Sequence, residues 1–223
     1  MKRILAQGFT LVELLIVIAL LGVIATIVIA AINPIEQANK ARDAGYKNDA
    51  SELVSAIQRY YASQSNFPWT TLNPATTADA QFGWVSADAV TVGLCAAAGT
   101  ACQSSAASPA PLIGSYELQT SFLSKAWIGA GNQSDKLYIG KAPGSSSGVY
   151  VCWVPRANSN RQALITGCSG TTPNCKMVDL NGGTAGFTSA GTPSYTGGCL
   201  TPGVTTWAPT GSNLPSCAEC VPE

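Results

Sequence analysis

The chain has 223 residues, of which 46% are hydrophobic and only 11% charged, and its twelve basic side chains balance twelve acidic ones. That neutrality removes the electrostatic case for nucleic-acid binding. The absence of histidine removes Ser-His and Cys-His nucleophiles and imidazole metal sites.

The N-terminal stretch sets the organisation. Lys2 and Arg3 precede Gly8 with no acid between them. Met1–Gly8 has no apolar core of its own, as an ordinary secretory leader would. The apolar core follows instead, as an uncharged run of 19 residues from Leu14 to Ile32. As a helix it is about 28 Å long, close to the thickness of a bilayer core. Glu13 stands at its head with no charged neighbour in sequence. A lone carboxylate in hydrocarbon is costly and calls for a partner. A cut after Gly8 would create an α-amine on Phe9, about one helical turn from that carboxylate.

Gly8-Phe9-Thr10-Leu11-Val12-Glu13, with the apolar run to Ile27, resembles the class III leader of type IV pilins and pseudopilins. The resemblance implies cleavage after Gly8 by prepilin peptidase and N-methylation of Phe9. It implies subunit assembly through Phe9 and Glu13, with copies of the chain and other pilins, on an inner-membrane assembly platform. That family has a glycine and a proline bounding a yielding segment of the helix; Gly22 corresponds in kind, whereas Pro34 stands somewhat later than the family's proline. Pro34 also reads as a simple kink, or as the first residue of a new helix capped by Asn33.

Three parts follow: residues 1–8 as leader, 9–63 as a long helix and 64–223 as an extracytoplasmic globular domain. The helix divides into a transmembrane or filament-core half, 9–32, and an amphipathic half, 33–63. In the latter Ala50, Leu53, Val54, Ile57, Tyr60 and Tyr61 fall on one face. Glu36/Lys40 and Asp43/Lys47 are acid-before-base pairs, most simply a solvated face. Phe67-Pro68 marks the exit; with Tyr60-Tyr61 it resembles an aromatic-proline exit common in the same families.

Residues 69–111 read as a long loop with short strands, and 115–128 as a short helix. Strand signals lie at 136–140, at 148–154, and more weakly at 162–166 and 176–180. The expected fold is α+β, a long N-terminal helix on a small antiparallel sheet of three or four strands with disulfide-stapled loops. Residues 181–223 are rich in Gly, Thr, Pro and Ser, and read as a tail held by its cysteines.

All eight cysteines lie beyond the helix: Cys95, Cys102, Cys152, Cys168, Cys175, Cys199, Cys217 and Cys220. An even count in an exported domain reads as disulfides. Spacing favours Cys95–Cys102, Cys168–Cys175 and Cys217–Cys220, leaving Cys152–Cys199 as the long bridge. Cys217-Ala218-Glu219-Cys220 is also half of a zinc site, and Asp179-x-Asn181 a fragment of a cation site. Cys168 and Cys175 could complete the first, but no second tight pair exists and the domain reads as extracytoplasmic, so no metal and no cofactor is expected.

The acids Asp79, Asp88, Glu117, Asp135, Asp179 and Glu219 are scattered, with no paired-carboxylate spacing. The reading is a non-enzymatic structural subunit of a type IV pilus-like filament. The alternatives are a pseudopilin of a type II secretion or DNA-uptake system, and a membrane-anchored surface binding module. The N-terminus would face the cytoplasm by the positive-inside bias of Lys2 and Arg3, although Lys40 and Arg42 follow the helix. The chain would pass from the inner membrane into an extracellular pilus or a periplasmic pseudopilus.

Overall fold

A computed structural model describes residues 8–72, 82–96, 110–142, 148–168, 177–180 and 217–222. Helix α1 spans Leu11–Ala31 and α2 spans Pro34–Gln64. Between them Ile32 and Asn33 are extended, so the long helix is interrupted there. Asn33 is the N-cap of α2, its side chain accepting from Glu36 N at 3.2 Å, with Pro34 in the first turn. Of the two readings of Pro34, the capped new helix is the one that forms. Proline lacks an N–H to lose at that position and its fixed φ suits the helix.

The first turns of α2 project, and the rest of the helix lies on the domain. Asp43, Tyr46, Ala50, Leu53, Val54, Ala56, Ile57 and Tyr60 are buried. The helix ends at Ser65, left-handed at φ 55°, whose N–H donates to Tyr61 O at 2.8 Å. The chain then turns back through an aromatic stack. Tyr61, Phe67 and Trp69 follow one another with ring centroids 4.5 and 4.6 Å apart. The short helix α3, Pro68–Leu72, begins in that stack. Gly93 packs against it at φ 86°, where an added Cβ would lie 2.7 Å from Pro68 Cβ. Only glycine fits there.

The sheet has five antiparallel strands in the order β1-β2-β3-β5-β4. They are β1 Phe82–Ser86, β2 Leu137–Lys141, β3 Val149–Trp153, β4 Met177–Val178 and β5 Ala218–Val221. Side chains alternate as the pleat requires. Leu137, Ile139, Val149, Val151 and Trp153 join the core beneath α2, while Tyr138, Cys152, Val178 and Cys220 form a second cluster on the opposite face. Helices α4, Pro111–Gly114, and α5, Asn158–Cys168, complete the domain with 3₁₀ turns, one of them at Thr120–Ser124.

Several sequence expectations are corrected. The sheet has five strands rather than three or four. Residues 115–128 supply a 3₁₀ turn in place of the short helix. Residues 162–166 lie inside α5, not in a strand. Residues 218–221 are no tail but an inner strand between β3 and β4.

The cysteine pairing changes with it. Cys152 faces Cys220 across β3 and β5, and the two are bonded over a separation of 68 residues. This excludes both Cys152–Cys199 and Cys217–Cys220. Cys220 is taken by Cys152, so Cys217 has its bond elsewhere. Cys217 and Cys95 are disulfide-bonded as well. The zinc half-site therefore has no thiolates to offer. Cys102, Cys175, Cys199 and Asn181 lie outside the described residues, as do residues 1–7 of the leader.

Candidate functional site

The head of α1 is a capping box, dictated by Thr10 and the acid three residues later. Thr10 is the N-cap and its Oγ1 accepts from Glu13 N at 3.2 Å. Glu13 Oε2 accepts from Thr10 N at 2.9 Å and from Thr10 Oγ1 at 2.8 Å. The sequence posed Glu13 as a carboxylate in search of a partner. In the uncut chain it has one, in its own turn. The carboxylate is folded back over the helix start, next to the peptide that follows Phe9. A negative group there also complements the partial positive charge of the helix N-terminus.

Beyond Glu13, α1 has no polar side. Its 19 residues Leu11–Ile29 have a mean hydropathy of 3.0, and none of that surface is buried in the domain. Phe9 is 80% exposed, Leu20 58% and Ile27 63%. A helix that is apolar all round is stable only inside an apolar environment, a bilayer or a bundle of its own kind. Gly22 sits within the unbroken helix, where an added Cβ would meet nothing within 4 Å. The interruption lies ten residues further on, beginning at Ile32.

Residues 5–29 match the family model of the prokaryotic N-terminal methylation motif. The chain carries the class III prepilin leader of type IV pilins and pseudopilins. No curated protein and no solved structure matches the chain. The motif implies processing by prepilin peptidase and assembly with pilins, and the apolar helix fits the membrane anchoring typical of them.

A second polar cluster, which sequence reasoning missed, lies where α2 meets the domain. Asp43, 3% exposed, accepts at Oδ1 from Arg156 N at 2.9 Å, and at Oδ2 from Ala157 N at 2.9 Å and Asn160 Nδ2 at 3.0 Å. Glu36, seven residues earlier and so on the same face, accepts from Asn158 N, Ser159 N and Ser159 Oγ at 2.9–3.0 Å. These bonds, led by the Ser159 and Asn158 amides, hold its carboxyl below the ordinary glutamate value. Asp43 takes the two amides just before α5, and Glu36 the first two of the helix, where the preceding Ala157 has no side-chain acceptor.

Arg42 completes the joint. It lies 4.0 Å over the Tyr46 ring and donates to Ser134 O at 3.1 Å and Asp135 Oδ1 at 3.0 Å. Burial pushes the Tyr46 hydroxyl up, and that hydroxyl donates to Asp135 O at 3.0 Å. The expected solvated pairs are therefore replaced. Asp43 is buried beneath α5, and Lys47 reaches Glu219 at 3.9 Å. One signal was available. Asp43 falls on the stripe of Tyr46, Ala50, Leu53 and Ile57 extended backwards, a position that points inward.

Three further acids serve as ties. Glu117 pairs with Arg59 at 2.9 Å, Asp49 with Lys125 at 2.8 Å, and Asp88 accepts from Ser86 Oγ and from Gly129 N at 2.9 Å. Among the described residues no three potential metal ligands gather.

Proposed function

We propose that the chain is a structural subunit of a type IV pilus-like filament, cleaved after Gly8, methylated on Phe9 and assembled through α1. The observation that carries this is the 19-residue apolar span of α1, Leu11–Ile29, uncovered by its own domain and headed by the methylation motif. The helix serves first as a single membrane span with the N-terminus cytoplasmic, then as filament core. Residues 1–8, 9–63 and 64–223 act as leader, assembly helix and extracytoplasmic domain. The large disulfide-bonded domain favours a pilus subunit over a pseudopilus subunit, since a core pseudopilin would be shorter. No catalytic role is assigned.

Glu13 is the assembly residue of this reading. Cleavage converts the Phe9 nitrogen to an amine beside a carboxylate already folded towards it. In a filament the amine of an adjacent subunit is the better partner, desolvated among packed helices. Pairing there fixes the axial register, because sliding leaves both charges unpaired. Gly22 and Pro34 are the points at which the helix yields.

Glu13→Gln is the cleanest test. Glutamine preserves the capping box while removing the charge. The expected result is a mature, methylated chain by intact mass and a strong loss of filaments in sheared material. A processed variant that assembles at the wild-type level overturns the register role. Wild-type chain that stays in the periplasmic fraction as short assemblies assigns it to a pseudopilus instead.

A further inference from the structure

Among the described residues, helix α1 is nowhere covered by the domain that follows it, so only the Ile32–Asn33 link and the first turns of α2 govern its direction. Those turns project beyond the sheet. Pro34, Ile35, Gln37 and Ala38 are exposed. Among the described residues, Glu36 is the one side chain before Arg42 that bonds α2 to the domain. It does so with three bonds to Asn158 and Ser159, all at 2.9–3.0 Å.

We infer that α5 is a bracket, and that Glu36 is the positioning residue that fixes the angle at which the apolar helix leaves the domain. The bracket has two bolts on one helix face. Asp43 anchors α5 to the buried part of α2 through Arg156 N, Ala157 N and Asn160 Nδ2. Glu36 then uses the next amides of the same terminus, so the anchored α5 reaches back to hold the projecting turn of α2. Releasing Glu36 moves the last point of attachment from residue 36 to the Arg42–Asp43 joint, a shift of about 10 Å along the helix. The freed turn adds its own play to that of the link, and the domain is no longer carried at one angle on the helix.

The arrangement differs from a plain helix cap. Asp43 takes the amides of Arg156 and Ala157, just before the helix, and Glu36 those of Asn158 and Ser159, its first two residues, so anchor and cap are continuous. The second carboxylate comes from the turn that would otherwise be free. Its distance in sequence, 122 and 123 residues from Asn158 and Ser159, makes the contact a tie between regions rather than a local turn.

The test uses the full chain in detergent micelles, as wild type, Glu36→Gln and Ser159→Ala. Hydrogen exchange is read over residues 33–42 and 156–162, and pulsed-EPR distances are taken between labels on azide-bearing residues at positions 24 and 116. For Glu36→Gln the expected outcome is exchange faster by roughly five-fold over 33–42, as for a turn opened locally. A broadened 24–116 distance distribution should accompany it, with only a small drop in the melting temperature of the domain. Ser159→Ala, which removes one of the three bonds, should fall between the two. Faster exchange confined to 156–162, with the distance distribution unchanged, makes Glu36 a mere cap of α5 and overturns the inference. So does an unchanged exchange pattern.

Discussion

The two helices in succession present opposite solutions to the same problem. Helix α1 has apolar side chains on all sides and no covering from its own chain among the described residues. Helix α2 has one apolar face, and that face is buried, with Leu53 and Ile57 at 0% exposure. The two are separated by two extended residues. A uniform apolar surface seeks an environment and is indifferent to rotation about its axis. A one-sided surface seeks a partner and fixes the rotation. Specific side-chain bonds accordingly accumulate on α2, whereas the bonds made by side chains of α1 stay within its own turns.

The comparison can be broken most severely at the disulfide. Replacing Cys152 and Cys220 together by serine removes the cross-link that closes a 68-residue separation. The domain is expected to lose up to about 4 kcal/mol. Denaturant unfolding of the full chain measures the loss, and protease protection of α1 in membranes should not change. An equal loss of membrane insertion would mean that the two regions are not independent.

The same substitution in both helices sharpens the contrast. Leu53→Ala opens a cavity under α2 and should cost about 3 kcal/mol of domain stability. Leu20→Ala, at a residue 58% exposed, should leave domain unfolding unaltered. Comparable shifts in the two midpoints would show that α1 packs on the domain after all.

A smaller effect is expected at the joint. Asp43→Asn keeps the shape but loses the charge that faces four donors, the Arg42 guanidinium at 3.3 Å among them, and should cost about 2 kcal/mol. Thermal unfolding would register this, together with faster exchange at the first amides of α5. Arg42→Lys should fall below it, because lysine cannot reproduce the fork that spans Ser134 O and Asp135.

The smallest effect is a pH dependence. Bonds from Ser159 and Asn158 depress the Glu36 carboxyl below its ordinary value of 4.5. A depressed acid contributes its stabilisation in full above the unfolded value. The contribution fades as pH falls through the lower folded value. A carbon-13 titration of the Glu36 carboxyl should show a midpoint under 4.5 in wild type and a rise towards it in Ser159→Ala. A midpoint that does not respond to Ser159 would separate the carboxylate from α5.

What was legible in the sequence is local. The apolar run, the motif at its head, the buried stripe from Ala50 to Tyr60 and the strands at Leu137–Lys141 and Val149–Trp153 all depend on periodicity or spacing within a few residues. What escaped depends on residues far apart. The run Ala163-Leu164-Ile165-Thr166 looks like a strand because it is short, apolar and ends in β-branched residues. It is helical because Asp43 and Glu36, more than a hundred residues upstream, provide the acceptors. Ala218-Glu219-Cys220-Val221 is too short to announce itself. It becomes an inner strand because β3 and β4 offer edges on both sides and Cys152 lies opposite Cys220. The sequence by itself determined that this chain has a helix for an apolar environment and a separate folded domain, because hydrophobic periodicity is a short-range property. Only the tertiary structure decided which cysteines pair, which strand lies inside the sheet and how α2 is bolted to α5. Those choices rest on contacts between distant segments, whose geometry no local pattern encodes.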